Sequence, residues 1–234
     1  MKAAIFGTGI VGQVIAIRLA GLGHSVMIGT RNVDKTLART EKDAYGNAPF
    51  AEWYEQNKNT LKLGTYAEAA SSSDVIFNCT MGQGSVDALM QAGSANLKGK
   101  VIIDISNPLD FSKGMPPTLS PGNTDSLGEL IQRTFPETKV VKTLNTMNCF
   151  LMVNPSALPG DHNVFVSGND GAAKEAAKGI LKSFGWKESN IIDLGDITTA
   201  RGTEQLLPIW IRLYGALQNP MFNFKIVIGQ PPKM

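Results

Sequence analysis

Gly7-Thr8-Gly9-Ile10-Val11-Gly12 has the spacing G-x-G-x-x-G, and the chemistry open to such a loop is anion binding by bare backbone. Gly7 permits a tight turn, Gly9 lets the main chain approach a pyrophosphate, and Gly12 lets a helix pack closely on a strand. A helix that opens at the loop adds free N–H groups and a partial positive charge. Alone the motif is weak. Its setting strengthens it: an apolar strand (Ala3–Phe6) precedes it, a helical pattern (Ile10 to Leu22) follows, and a second strand (Ser25–Ile28) comes next.

Past that second strand stands Gly29-Thr30-Arg31. A site for NAD usually carries Asp or Glu there, accepting hydrogen bonds from the ribose 2′-hydroxyl. This chain has a hydroxyl and a guanidinium instead. Arg31 can grip a 2′-phosphate through two parallel N–H donors, and Thr30 can add a hydroxyl donor. Lys35 follows near the first turn of the next helix, where it can point back at the same phosphate. Arg31 or Lys35 alone could equally be a solvated surface cation; the set points to NADP(H) rather than NAD(H).

Other reactive groups are sparse. His24 lies in the turn between the first helix and the second strand, and His162 in a loop before a late strand; both read as surface residues. There is no HExxH pattern, no paired-cysteine zinc motif and no GxSxG elbow, so no metal site is expected and no catalytic residue is assigned. Lys142 and Asp104 are the remaining acid–base candidates, and each reads more readily as structural. An alcohol dehydrogenase would want a positioned proton donor or acceptor. Hydride transfer between a nicotinamide and a flavin or deazaflavin ring needs none from the protein, because the cofactors carry that chemistry. The loops able to wall such a site are Cys79-Thr80-Met81-Gly82, Ser106-Asn107-Pro108-Leu109 and Asn145-Thr146-Met147-Asn148, although each asparagine could be a turn residue bonding its own backbone.

The elements that must position these residues alternate strand and helix. After Asn32, a candidate N-cap, a helix starts near Val33. Residues 43–60, with Gly46, Asn47, Pro49, Trp53 and Tyr54, read as an insertion holding a short helix (Phe50 to Asn57). Then come helix Ala67–Ser72, strand Asp74–Asn78, helix Val86–Ala92 and strand Val101–Ile105. Residues 111–123, rich in proline and glycine, read as a loop long enough to be functional or mobile. Helix Ser126–Phe135, strands Lys139–Thr143 and Val164–Val166, helix Ala172–Phe184, strand Ile191–Ile192 and an apolar helix from about Thr203 to Leu217 complete the chain. This order implies an α/β fold: an open, doubly wound, mostly parallel sheet of Rossmann type, with a dinucleotide-binding part over 1–150 and a smaller, helical C-terminal part over 151–234. A net charge of +2, with Lys and Arg scattered, argues against a nucleic-acid partner. No apolar run approaches the roughly 20 residues of a membrane span and no signal peptide is evident, so a cytoplasmic location is expected. Cys79 and Cys149 read as reduced thiols in or near the core rather than a disulfide.

On Gly7–Gly12, Gly29-Thr30-Arg31, Asp104–Pro108, Val140–Thr146 and Val164–Asp170, the chain resembles the deazaflavin (coenzyme F-420)-dependent NADP oxidoreductases. It is also similar to the NADP-binding domains of the STEAP metalloreductases. The resemblance extends over nearly the whole chain. It implies that Thr8, Thr30, Arg31 and Lys35 hold the 2′-phosphate, that backbone at Ile10 and Val11 meets the pyrophosphate, and that Cys79, Thr80 and Met81 line the ribose and nicotinamide. It implies a flavin-like acceptor near the loop with Asn145 and Met147. Archaeal members have a histidine where this chain has Asn145, and a proline-containing loop where it has Met81-Gly82. Those departures bear on the acceptor and not on the dinucleotide. The expected activity is hydride transfer between NADP(H) and a deazaflavin or flavin; the alternative is a non-catalytic NADP(H) sensor. The helix at 203–217, apolar around most of its circumference through Leu206, Leu207, Ile209, Trp210, Ile211, Leu213, Tyr214 and Leu217, needs cover on more than one side. A homodimer would supply it; the Met221-Phe222 segment is the alternative within the chain.

Overall fold

The computed structural model describes residues 1–42, 46 and 48–231, so residues 43–45 and 47 of the 43–60 insertion lie outside the described residues. Strands β1 (Lys2–Phe6), β2 (Ser25–Thr30), β3 (Leu61–Thr65), β4 (Val75–Asn78) and β5 (Val101–Asp104) come first. A two-stranded antiparallel hairpin, β6 (Leu109–Asp110) and β7 (Thr118–Leu119), follows, and then β8 (Lys139–Thr143), β9 (Val164–Gly168) and β10 (Ile191–Gly195). Among the described residues eight strands form one sheet in the order β10-β9-β8-β5-β4-β1-β2-β3. All neighbours are parallel except β8 and β9. The helices are α1 (Ile10–Gly21), α2 (Val33–Leu37), α3 (Phe50–Asn57), α4 (Tyr66–Ser71), α5 (Gly82–Ala92), α6 (Ser94–Leu97), α7 (Leu127–Thr134), α8 (Cys149–Val153), α9 (Gly171–Phe184), α10 (Ala200–Glu204) and α11 (Leu207–Leu217).

The central strands are apolar on both faces because helices cover both. In β1, Ala3 and Ile5 join one core with Ile15 and Leu19 of α1, Leu151 of α8 and Leu181 of α9. Ala4 and Phe6 face the other core, with Tyr66 of α4, Leu89 of α5 and Ile131 of α7. Because β2 and β4 flank β1 on opposite sides, the strand order reverses at β1, and a crevice opens outside the carboxyl ends of β1 and β4.

The architecture is the doubly wound one expected, with local corrections. The edge strand β3 and the β6–β7 hairpin were not foreseen. Helix α5 starts at Gly82, four residues before the apolar periodicity begins. The C-terminal helix is broken at Gln205-Leu206 into α10 and α11, with Pro208 in the first turn of α11. That last helix is also not buried all round: Ile209, Tyr214 and Leu217 are about half exposed, while Trp210 stacks between Tyr214 and Phe222 at ring distances of 5.8 and 5.3 Å. His162 is no surface residue. It is buried, with Nε2 2.9 Å from the Pro155 carbonyl oxygen and Nδ1 2.8 Å from Asn223 Nδ2, under cover of the C-terminal tail.

Candidate cofactor site

The glycine loop sits where β1 ends. Gly7 has φ +115, and a Cβ there would lie 2.7 Å from the Cys79 carbonyl oxygen. A Cβ on Gly12 would lie 2.3 Å from the Gly7 carbonyl oxygen. Both glycines are therefore demanded by packing. Gly9 differs: its φ is −74 and, its chain neighbours aside, nothing lies within 4 Å of the Cβ position among the described residues. Nothing in the fold itself asks for glycine there, and the open space is where a pyrophosphate would need it. Helix α1 opens next with no side-chain cap and no acid in its first turn, leaving the amides around Ile10 and Val11 available to an anion. The Thr8 carbonyl accepts a hydrogen bond from Gln13 Nε2 at 2.9 Å, which ties the loop to the helix it opens.

At the end of β2, Thr30 is buried with its hydroxyl 2.7 Å from that of Thr36. Asn32 caps α2, accepting from the Lys35 amide at 2.8 Å, and so places Lys35 in the first turn beside Arg31. Both cations are exposed, and among the described residues neither forms an ion pair. Arg39, like Arg31, comes near enough to Tyr66 for its charge to act on the phenol. Burial pushes the Tyr66 phenol up, while the Arg31 and Arg39 charges nearby pull it down. Arg39 and Tyr66 were absent from the sequence reading. The available signal was the spacing from Lys35 to Arg39, but α2 ends at Leu37, so only tertiary structure brings Arg39 in.

The loops after β4, β5 and β8 meet on the other side of the crevice. A Cβ on Gly82 would lie 2.1 Å from the Asn107 carbonyl oxygen, so α5 starts hard against the loop after β5. Asn107 Nδ2 donates to the Asn145 carbonyl at 2.9 Å and Asn145 Nδ2 donates to Asn107 Oδ1 at 3.0 Å. Leu144, just before Asn145, has φ +63. A leucine in the left-handed region costs about 1–3 kcal/mol and persists where surroundings enforce it, typically at functional sites. Met81 immediately precedes α5, without a side-chain capping bond, and is 70% exposed at the rim, whereas Met147 packs into the core beneath. Burial, reinforced by the nearby Asp104 carboxylate, raises the Cys79 thiol far above its ordinary value, which makes it a wall and not a nucleophile. Both cysteines are free, Cys79 partly buried and Cys149 buried. Lys142 and Asp104 are buried and paired at 2.8 Å, so neither is free to move a proton to a ligand.

Comparison with known proteins follows the same lines. Residues 2–108 match the family described as NADP oxidoreductase, coenzyme F420-dependent. A crystal structure from Arthrobacter sp. FB24, provisionally described as an F420-dependent NADP-reductase, superposes with a TM-score of 0.92 at 56% identity, covering 97% of this chain and 100% of that one. The F420-dependent NADP reductase of Methanothermobacter marburgensis is 27% identical over the full length of both chains. Metalloreductase STEAP3 of Rattus norvegicus is 27% identical over 89% of this chain, which spans only 38% of that longer protein. Among the described residues no helix is long and apolar enough to cross a membrane. The chain belongs to the coenzyme F420-dependent NADP oxidoreductase family and is an NADP-dependent oxidoreductase.

Proposed function

We propose that the chain transfers hydride between NADP(H) and a deazaflavin or flavin acceptor. The observation that carries this reading is the contrast at the crevice: the exposed Arg31 and Lys35, which form no ion pair among the described residues, follow the end of β2, while the polar groups beyond β4, β5 and β8 are bonded to one another. In this reading Thr8, Thr30, Arg31 and Lys35 hold the 2′-phosphate, with Arg39 beside them, and the Ile10 and Val11 amides hold the pyrophosphate. Cys79, Thr80, Met81 and Asn107 wall the nicotinamide half. Asn145 and the loop anchored by Met147 face the acceptor. When bound, the nicotinamide and the flavin-type ring supply hydride donor and acceptor. The chain's task is then to bind, align and exclude water, which requires no protein acid or base.

Deuteride transfer tests this directly. NADPH labelled at the nicotinamide carbon should pass its label to a deazaflavin or flavin product. If the label stays behind with every such acceptor and appears in a carbonyl product, the acceptor class is wrong. A non-catalytic sensor would instead bind NADPH and oxidise it with no acceptor in the panel. A homodimer built on α11 belongs to the same reading, supported by the half-exposed Ile209, Tyr214 and Leu217. Light scattering at micromolar concentration should give about twice the chain mass, and Ile209→Glu should halve it. A wild-type mass of one chain removes the dimer.

A further inference from the structure

Beneath the Asn107–Asn145 pair lies a buried ionic cluster drawn from three distant parts of the chain. Lys142 on β8 is fully buried, and its ammonium has three acceptors for three N–H donors: Asp104 Oδ2 at 2.8 Å, Glu204 Oε1 at 2.8 Å and the Ser106 carbonyl at 2.5 Å. Burial alone would lower its pKa. The carboxylates of Asp104 and Glu204 more than reverse this, so the group stays charged.

The other oxygen of Asp104 accepts from the Ser106 hydroxyl at 2.6 Å, the Ser106 amide at 3.2 Å and Asn78 Nδ2 at 2.9 Å. Every polar group of Ser106 (amide, hydroxyl and carbonyl) is thus tied to Asp104 or Lys142. Asn78 continues the chain outward, because its Oδ1 accepts from the Thr80 hydroxyl at 2.7 Å. On the inner side Glu204 accepts from the Leu127 and Gly128 amides at 2.8 and 3.0 Å, which places its charge at the N-terminus of α7.

The arrangement does more than satisfy a buried lysine. A peptide unit locked on all sides at Ser106 sets the direction in which Asn107 leaves it, and Pro108 restricts the backbone of Asn107, the residue before it. We infer that Lys142 is a positioning residue for the nicotinamide side of the site: held between Asp104 and Glu204, it fixes the Ser106–Asn107 turn, and with it the Asn107–Asn145 pair and Thr80. This rests on the reading above that the nicotinamide half lies at these strand ends, some way from the 2′-phosphate group at β2. Lys142 touches no ligand itself and acts through Ser106.

The test compares two ligands, NADPH and 2′,5′-ADP, which shares the phosphate end but lacks the nicotinamide half. Lys142→Met combined with Asp104→Asn and Glu204→Gln removes all three charges and leaves none unpaired. Glu204→Gln alone is the milder variant, since it keeps a neutral Lys142–Asp104 pair and an acceptor for the α7 amides. In the folded variants, 2′,5′-ADP affinity should stay within about twofold of wild type, while the preference for NADPH over 2′,5′-ADP should drop at least fivefold in the triple variant and less in the single one. A wild-type preference in the triple variant, or in Glu204→Gln should the triple variant fail to fold, would reduce the cluster to a core ion pair and overturn the inference. Binding of 2′,5′-ADP to the unaltered protein tests the phosphate reading separately.

Discussion

The two ends of the proposed cofactor groove handle polar groups in opposite ways. At the phosphate end, Arg31 and Lys35 are exposed and form no ion pair among the described residues, and Gly9 faces open space. At the nicotinamide end, Asp104, Lys142 and Glu204 are buried and bonded to one another, and Asn107 and Asn145 hold each other. The first arrangement leaves affinity available for a ligand that brings its own charge. The second is made before any ligand arrives, so it can orient a ring without adding a reactive group. Substitutions at the two ends should therefore fail in different currencies: binding at one, stability and alignment at the other.

The largest effect belongs to Lys142→Met as a single change. Removing one partner leaves two buried carboxylates uncompensated, which costs about 3–5 kcal/mol. Urea unfolding should show the loss. A single variant as stable as wild type would mean that water reaches the cluster and would break the contrast. Next come two glycines of one motif. Gly12→Ala drives a Cβ into the Gly7 carbonyl and should cost about 1–3 kcal/mol by overpacking. Gly9→Ala should melt like wild type and yet bind NADPH at least tenfold more weakly. Equal melting temperatures for both alanine variants would contradict the division. Smaller again, Arg31→Ala should weaken NADPH at least tenfold, about 1.4 kcal/mol, with NADH binding and unfolding unchanged. Calorimetry that finds equal loss for the two cofactors would remove Arg31 from the 2′-phosphate.

The same contrast explains what the sequence disclosed. Gly7–Gly12, the missing acid after β2 and the Asn32 cap are local chemistry, and they are where the residues placed them. The central strands were legible because burial on both faces makes them uniformly apolar. The strand β3, Leu-Lys-Leu-Gly-Thr, is a strand through its pairing with β2, which nothing in those five residues announces. Strand direction is likewise invisible, and β9 turned out antiparallel to β8. The break between α10 and α11 had a signal in Pro208, favoured in a first helical turn, but the apolar periodicity ran across it. His162 was misjudged, and the partners that make Lys142 structural were hidden, for one reason. Asn223 is 61 residues from His162, and Asp104 is 38 from Lys142, so their partners arrive only with the fold.

The smallest expected effect sharpens the contrast by pH. Helix α7, which Glu204 holds from the buried cluster, is held a second time by α10: Arg201 Nε donates to Glu129 Oε2 at 2.7 Å, and its Nη2 bonds Oε1. Ser126, the α7 cap, donates to the same carboxylate at 2.7 Å. Hydrogen bonds from Arg201 hold the Glu129 carboxyl below its ordinary value of 4.5, against the opposing effect of burial, with Ser126 assisting. A carboxylate whose folded pKa is depressed stabilises fully above its unfolded value and loses that contribution as pH falls through the folded one. Wild type should therefore exceed Glu129→Gln in unfolding free energy by a constant margin from neutral pH down to about 5, and the margin should shrink as pH falls below 4.5. Arg31→Ala should show no such narrowing, because it leaves the Arg201–Glu129 pair untouched. The measurement is thermal or urea unfolding of the three proteins at neutral pH and below pH 4.5. A Glu129→Gln margin that persists unchanged in acid would mean that the Arg201–Glu129 pair adds nothing to the hold on α7, and that Glu204 carries it alone.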